Sequence, residues 1–217
     1  MTPKTAQETG VSSPSVVVFD MGGVLIDWNP RHVYRQLIPD PQEMEHFLAT
    51  VTTTEWHSAQ DFGGNPDEAT RQLKARYPGQ EALIEAFYGR FDEMLDHPFP
   101  EMAAVVERLH RAGIPLYLLS NAPDFLDAWL RGRGRDRHPF FGLFRDYIVS
   151  GRVKCWKPDA AIYDLVCRAG GFRPQEAVFI DDSLRNVEGA RAFGMQAIHH
   201  RSTAETVAAL QALGLPA

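Results

Sequence analysis

The sequence predicts an α/β fold in which a parallel sheet carries helices on both faces and a small helical cap is inserted after the first strand. From residue 98 onward, helical and strand patterns alternate regularly, which is typical of parallel strands joined by helical crossovers. Between residues 31 and 97 every convincing segment is helical, and glycine and proline breaks divide it into roughly four helices. We therefore expect a core domain of residues 15–29 and 98–217, a cap domain of residues 30–97, and a disordered tail of residues 1–14.

The elements follow in order from their apolar patterns. The β-branched run VVVF at residues 16–19 predicts a short buried strand that stops at Asp20, where Gly22 and Gly23 permit a turn. Apolar runs predict further strands at residues 114–119, 147–149, 177–180 and 196–198. Amphipathic periodicity predicts core helices at residues 101–112, 123–130, 159–169, 183–193 and 204–213. The basic run at residues 131–138 is expected to be a solvated loop.

Composition and charge exclude several classes of protein. The 217 residues carry a formal net charge of −6, which argues against the basic surface that nucleic-acid binding requires. No stretch of about 18 apolar residues occurs, and residues 1–15 lack the apolar segment of a signal peptide. The two cysteines, Cys155 and Cys167, are expected to be reduced thiols. These features predict a cytoplasmic protein without membrane or nucleic-acid partners, either a monomer or a homodimer.

Polar side chains follow three of the predicted strands. Asp20 comes directly after the first strand, Ser120 and Asn121 after the second, and Asp181 and Asp182 after the strand at residues 177–180. Because ligands bind beyond the carboxyl ends of parallel strands, we expect these groups to converge on one crevice.

Lys157 adds a cation to this set. It stands directly before Pro158, the predicted first residue of a helix, where the helix dipole disfavours positive charge. A bound anion or a partner carboxylate must therefore compensate it. Together the groups describe phosphoryl transfer: a carboxylate nucleophile forms an acyl phosphate, and a second carboxylate helps to hold Mg²⁺. A hydroxyl, a backbone N–H and a lysine then share the charge of the phosphoryl oxygens.

Four segments resemble the four motifs of the haloacid dehalogenase (HAD) superfamily, in their usual order: FDMGGVL at residues 19–25, LSN at 119–121, KPD with IY at 157–163, and FIDDS at 179–183. The resemblance spans residues 16–199 and implies a Rossmann-like core. It is strongest to the phosphatase branch that includes α-D-glucose-1-phosphate phosphatase. That branch implies a small phosphorylated metabolite as substrate, with a sugar phosphate as one option.

The resemblance implies a role for each matching residue. Asp20 would be the nucleophile and, with Asp182 and the carbonyl of Gly22, a ligand of Mg²⁺. Ser120, Asn121 and Lys157 would bind the phosphoryl group, with Ser120 and Lys157 acting in catalysis. Asp181 would support Lys157 or a metal-bound water. For Asn186, a position near the metal and a role at the start of the helix are both open.

Gly22 departs from the common pattern of the superfamily. Most of its phosphatases carry an aspartate at this position, which serves as general acid and base, and such assistance is typically worth about 10²–10⁴ in rate. Either a good leaving group makes the proton less necessary, or another residue or water supplies it. Asp27, Gln60 and Asp61 are candidates by hydrogen-bonding capacity. Gln60 and Asp61 are also expected to bind substrate, because they lie just before the glycine break of the cap, where a loop facing the core site would select substrate.

Three functions follow from this pattern. The first is a Mg²⁺-dependent phosphatase that acts through an aspartyl-phosphate. The second is a metal-independent 2-haloacid dehalogenase, since dehalogenases also lack the second aspartate, although they have no need of the pair Asp181 and Asp182. The third is a non-catalytic ligand-binding protein. Trp28 is expected either to line the pocket entrance or, preferably, to staple the following helix.

Overall fold

Five parallel strands form the central sheet of the computed structural model, which describes residues 13–217. Their spatial order is β3 (Asp146–Val149), β2 (Leu116–Ser120), β1 (Val16–Phe19), β4 (Ala177–Asp181) and β5 (Gln196–His199). All four residues of β1 are buried, because this central strand is covered on both faces. The predicted α/β fold is confirmed. Residues 1–12 of the predicted tail lie outside the described residues.

The helical region after β1 contains six helices instead of the roughly four predicted. One additional boundary lies before α3, where neither glycine nor proline marks a break, and the other lies between α5 and α6, directly after Gly89. Thr53 is the N-cap of α3, and its hydroxyl accepts a 3.1 Å hydrogen bond from the N–H of Trp56. A capping threonine marks this helix start, whereas the prediction of four helices rested on glycine and proline alone. The helices are α1 (Arg31–Leu37), α2 (Pro41–Thr50), α3 (Thr54–Asp61), α4 (Pro66–Arg76), α5 (Glu81–Gly89) and α6 (Phe91–Met94).

Helices of the core cover both faces of the sheet. Because side chains alternate along a strand, Val17 and Phe19 join one apolar layer and Val16 and Val18 the other. The first layer includes α7 (Pro100–Arg111), α8 (Phe125–Arg131) and α13 (Thr203–Ala212), and the second includes α11 (Ala160–Gly170) and α12 (Leu184–Phe193). The short helices α9 (Arg133–Arg137) and α10 (Ser150–Val153) complete the core.

The prediction of a solvated loop at residues 131–138 is wrong. The segment holds the end of α8 and the short helix α9, and acidic residues from other elements pair with its arginines. Arg131, for example, lies 2.7 Å from Asp146 at the start of β3, in addition to an i,i+4 pair of 3.0 Å with Asp127 of its own helix. The pair with Asp146 depends on the packing of α8 beside β3, which the charge pattern of the segment does not contain.

The two chain crossings between core and cap run side by side. Ile26 pairs with Pro98 in an antiparallel bridge, and the N–H of Asp27 donates to the carbonyl of His97 at 2.8 Å. The crossings lie at the predicted boundaries of the cap, and the division into two domains stays a prediction.

Two observations bear on the expectations from composition. Cys155 and Cys167 are both free thiols. Within residues 13–217, no helix has the length and apolar character needed to cross a membrane.

Candidate active site

The sheet brings the predicted polar residues together at its carboxyl edge. Because β1 lies between β2 and β4, Asp20 stands between Ser120 and Asp181. Carboxylate oxygens of Asp20, Asp181 and Asp182 all lie within 4.8 Å of one another. Asp20, Ser120 and Lys157 line a cavity of about 190 Å³ between the core and the cap. Three strand ends that are far apart in sequence therefore form one site.

Lys157 has the partner carboxylates that its position requires. Its Nζ lies 2.8 Å from Oδ1 of Asp20 and 2.7 Å from Oδ2 of Asp181, and its side chain is 1% exposed. Burial alone would lower the pKa of Lys157, but the charges of Asp20 and Asp181 raise it above the ordinary value. The lysine is therefore charged and shared between two acids.

Asp181 is fully occupied by hydrogen-bond donors. Its Oδ1 accepts from the N–H of Ser183 at 2.8 Å, and its Oδ2 accepts from Lys157. The side-chain amide of Asn186 lies 3.1 Å from both oxygens. Of the two roles considered for Asp181, the geometry favours support of Lys157, and Asn186 holds Asp181 in place.

The side chain of Asn121 contacts the backbone of Lys157. Its Nδ2 donates to the carbonyl of Lys157 at 3.0 Å, and its Oδ1 accepts from the N–H of the same residue at 2.9 Å. Ser120 and Asn121 both line the cavity. The binding of phosphoryl oxygens by these two residues stays a prediction.

The carboxylates outnumber the cations at the site. Burial raises the pKa of Asp20 above its ordinary value, Lys157 lowers it, and Asp181 and Asp182 raise it again. Burial also raises the pKa of Asp182, with a further contribution from Asp181. A divalent cation would offset this excess of negative charge.

The residues present fit Mg²⁺, which prefers hard oxygen ligands. Asp20 and Asp182 supply carboxylates that are not saturated in the manner of Asp181. Gly23 has a φ of +69°, and a Cβ at this position would lie 2.2 Å from Oδ2 of Asp182. The glycine therefore leaves the space that the Asp182 carboxylate occupies beside the first loop.

One face of α3 closes the cavity from the cap side. Thr54, His57, Ser58 and Asp61 line the cavity, and their spacing is that of one helix face. Of this face the sequence analysis named Asp61 but not Thr54 or Ser58, and it also did not name Phe91 and Leu95 elsewhere on the wall. The helical spacing upstream of Asp61 was a signal that could have identified Thr54 and Ser58.

Trp28 lines the cavity, although stapling of the following helix was the preferred prediction. Its ring stacks on that of His57, with centroids 4.9 Å apart and planes at 15°. Trp56, in contrast, packs against Phe87 and Tyr88 within the cap. Trp28 is therefore the tryptophan that lines the cavity, whereas Trp56 belongs to the packing of the cap.

Two of the predicted polar candidates lie away from the cavity wall. Gln60 is buried, and its Nε2 donates to the carbonyl of Trp56 at 3.1 Å. The side chain of Asp27 lies 3.0 Å from Nε2 of His32 and is 47% exposed. Of the three proton-donor candidates considered, only Asp61 lines the cavity.

A family model for haloacid dehalogenase-like hydrolases matches residues 14–194. The chain belongs to this family. It is 31% identical over 201 residues to a sesquiterpene phosphatase of Aspergillus oryzae, a match that covers 90% of this chain and 94% of that protein. It is also 27% identical over 150 residues to (S)-2-haloacid dehalogenase 4A of Burkholderia cepacia, covering 68% of this chain and 62% of the relative.

Solved structures of HAD enzymes share the fold. The magnesium complex of a HAD family enzyme from Bacteroides thetaiotaomicron superposes with a TM-score of 0.65 at 23% identity, covering 87% of this chain and 94% of that one. The predictions of a HAD fold and of a hydrolase are thereby confirmed. The particular resemblance to α-D-glucose-1-phosphate phosphatase stays a prediction.

Proposed function

We propose that this HAD hydrolase is a Mg²⁺-dependent phosphatase that cleaves a phosphate monoester through an aspartyl-phosphate on Asp20. The observation that carries the proposal is the position of Asp20, on the wall of a cavity, bonded to a buried lysine and beside a second carboxylate, Asp182. A buried carboxylate with these neighbours is suited to attack phosphorus.

Each residue of the site has its own role in the proposed reaction. Lys157 and the hydroxyl of Ser120 bind the phosphoryl oxygens and offset their charge. Asp20 attacks phosphorus, so that a P–O bond to its carboxylate forms as the P–O bond to the alcohol breaks; water then hydrolyses the acyl phosphate. Asp181 and Asn186 keep Lys157 in position. When bound by Asp20, Asp182 and the carbonyl of Gly22, Mg²⁺ would supply positive charge that lets two anions approach.

The cavity lining supports an ester of an apolar alcohol. Beyond the phosphoryl site the wall is largely apolar, and a hydrophobic group gains free energy by leaving water for such a surface. The sesquiterpene phosphatase, similar over nearly its whole length, supports the same class. A sugar phosphate, expected as one option, would find hydroxyl-binding groups on the α3 face of the cavity but would leave its apolar wall without a matching group. The apolar wall residues are Met21, Trp28, Phe91, Leu95 and Leu126.

The test is phosphate release with Mg²⁺ from farnesyl phosphate, glucose 1-phosphate and p-nitrophenyl phosphate. We expect farnesyl phosphate to have a higher kcat/KM than glucose 1-phosphate, chelation of the metal to stop turnover, and Asp20→Asn to abolish it. Undiminished turnover in Asp20→Asn would exclude the aspartyl-phosphate. A preference for glucose 1-phosphate would overturn the apolar substrate class alone.

The dehalogenase alternative rests on Gly22 and on the similarity to the Burkholderia cepacia enzyme. It predicts chloride release from 2-chloropropionate without metal. The pair Asp181 and Asp182 weighs against it, because a metal-free dehalogenase has no use for a second carboxylate beside its nucleophile. A non-catalytic protein would show ligand-induced thermal stabilisation without turnover of any ester.

A further inference from the structure

The proposed phosphatase lacks a proton donor at Gly22, and the ester oxygen needs a proton to leave as an alcohol. This need is greatest for the unactivated esters that the cavity lining favours. The backbone does not require glycine at this position, since a Cβ there would meet only Cβ of Trp28, at 3.9 Å. We therefore ask which other wall of the cavity offers such a group, and the inference rests on the proposed function.

Asp61 is the carboxylate that the cap contributes to the cavity wall. It is the last residue of α3, and its side chain is 14% exposed. Its Oδ1 is buried and has no hydrogen-bond partner among residues 13–217. Nε2 of His57 lies 3.7 Å from this oxygen, beyond hydrogen-bonding distance. A buried acceptor without a partner is costly unless a ligand completes it, as an ester oxygen would.

The core holds this end of α3 in place. The hydroxyl of Ser150, at the start of α10, donates to the carbonyl of Asp61 at 2.6 Å. Gly63 lies two residues after Asp61, and its carbonyl accepts a hydrogen bond from Nζ of Lys154 at 3.1 Å. Phe62, between them, packs against Trp156. Because these three partners belong to the segment that follows β3, Asp61 is fixed relative to the carboxyl edge of the sheet on which Asp20 lies.

The surroundings of Asp61 let it exchange a proton near neutral pH. Burial raises the pKa of Asp61 to about 7, close to the value that suits a group acting as both acid and base. Two titratable groups face Asp61. His57 is neutral because burial lowers its pKa to about 4. Tyr88, whose hydroxyl is hydrogen-bonded to Nδ1 of His57 at 3.0 Å, is neutral because burial raises its pKa. Lys157 is committed to Asp20 and Asp181, and Lys154 points to the Gly63 carbonyl.

We propose that Asp61 is the general acid and base of this enzyme, replacing the aspartate absent at Gly22. As Asp20 attacks phosphorus and the ester P–O bond breaks, the leaving oxygen takes the proton of the Asp61 carboxyl group and departs as an alcohol. The Asp61 carboxylate then removes a proton from the water that attacks the aspartyl-phosphate. The P–O bond to Asp20 breaks, inorganic phosphate leaves, and both aspartates regain their starting states.

The test compares phenyl phosphate with p-nitrophenyl phosphate, which have similar shape but leaving groups of very different basicity. For Asp61→Asn we expect kcat/KM for phenyl phosphate to fall by about 10²-fold or more and that for p-nitrophenyl phosphate by less than about tenfold. Because the variant lacks its base, p-nitrophenol should appear in a burst before a slow steady state. The matched control is Glu55→Gln, which removes an exposed acid of α3 that does not line the cavity.

The outcomes separate this inference from the proposed function. If Asp20→Asn loses turnover of both esters while Asp61→Asn turns over both like wild type, the role of Asp61 is overturned and the phosphatase function stands. Equal losses on both esters in Asp61→Asn also overturn it, provided that circular dichroism shows a folded protein; should asparagine unfold the cap, Asp61→Ser is measured in the same way. If His57→Gln, and not Asp61→Asn, selectively loses turnover of phenyl phosphate, His57 is the proton donor instead.

Discussion

The side-chain amide of Asn121 forms two hydrogen bonds with the peptide of Lys157, one of 3.0 Å and one of 2.9 Å. Asn121 follows β2, whereas Lys157 precedes α11, so this pair joins two loops at the edge of the sheet. It holds the backbone from which the lysine reaches Asp20 and Asp181. Asn121 is therefore a positioning residue for the one buried ammonium group among the described residues.

Asn121→Ala should impair catalysis through Lys157. The substitution leaves the peptide groups of Lys157 without these partners, at a cost of about 1–3 kcal/mol in the free energy of unfolding. We expect kcat to fall more than KM rises, measured with p-nitrophenyl phosphate, because the lysine offsets charge that develops at phosphorus. The control is Asn65→Ala, which removes the N-cap of α4 in the cap and should lower stability with little change in kcat. Unchanged kcat in Asn121→Ala would contradict the positioning role.

Gly23→Ala should weaken Mg²⁺ binding. Its Cβ would lie 2.2 Å from Oδ2 of Asp182, so the carboxylate has to move away from Asp20, and the positive φ of +69° adds strain of about 1 kcal/mol. The measurement is the Mg²⁺ concentration that gives half-maximal turnover, which should rise at least about tenfold.

Gly79→Ala is the matched control for this change. Gly79 has a φ of +89°, but a Cβ at this position would meet no atom within 4 Å, so alanine there imposes similar strain without touching the site. The two variants should lose similar stability, while only Gly23→Ala changes the dependence on Mg²⁺. An equal metal requirement in both would show that the Asp182 carboxylate does not bind the ion.

Asp61→Asn should stabilise the protein at high pH. The pKa of Asp61 is raised to about 7 in the folded chain from an unfolded value of 3.8, so the folded state binds more protons between these values and wild-type stability falls as pH rises through them. Asparagine does not titrate. The stability of the variant relative to wild type should therefore rise from about pH 4 to about pH 8, by on the order of 4 kcal/mol.

Urea unfolding at several pH values, in the presence of a chelator, measures this difference. His57, whose pKa burial lowers to about 4, titrates in both proteins, so its contribution largely cancels in the comparison. A constant difference in unfolding free energy across the pH range would mean that Asp61 is ionised in the folded state.

Gly22→Asp should restore a proton donor to Asp61→Asn. The backbone at Gly22 has no positive φ, and the nearest contact of a new Cβ is 3.9 Å away. The double variant should regain part of the turnover of phenyl phosphate that Asp61→Asn loses, by about tenfold or more. Recovery is measured as the ratio of kcat/KM for phenyl and p-nitrophenyl phosphate, which does not depend on the amount of folded enzyme. An unchanged ratio would indicate that the first loop cannot present a carboxyl group to the ester oxygen.

The strand ends of the site were predictable from the sequence. Runs such as VVVF before Asp20 and AVFI before Asp181 are local signals of buried strands, and parallel topology then brings their carboxyl ends to one edge. The cation before α11 likewise pointed to a partner anion. These features depend on neighbours in sequence or on a general rule of sheet topology, so pattern reasoning could find them.

The roles of Asn121, Trp28 and Asp61 depended on long-range packing. Asn121 binds a peptide 36 residues away, and Asp61 accepts from a serine 89 residues away. Which face of α3 closes the cavity follows from how the cap rests on the segment after β3, and no periodicity within the cap encodes that contact. The proposed nucleophile Asp20 and its lysine therefore follow from local chemistry. The proposed proton donor Asp61 is identified only once core and cap are packed together, because its partners come from distant parts of the chain.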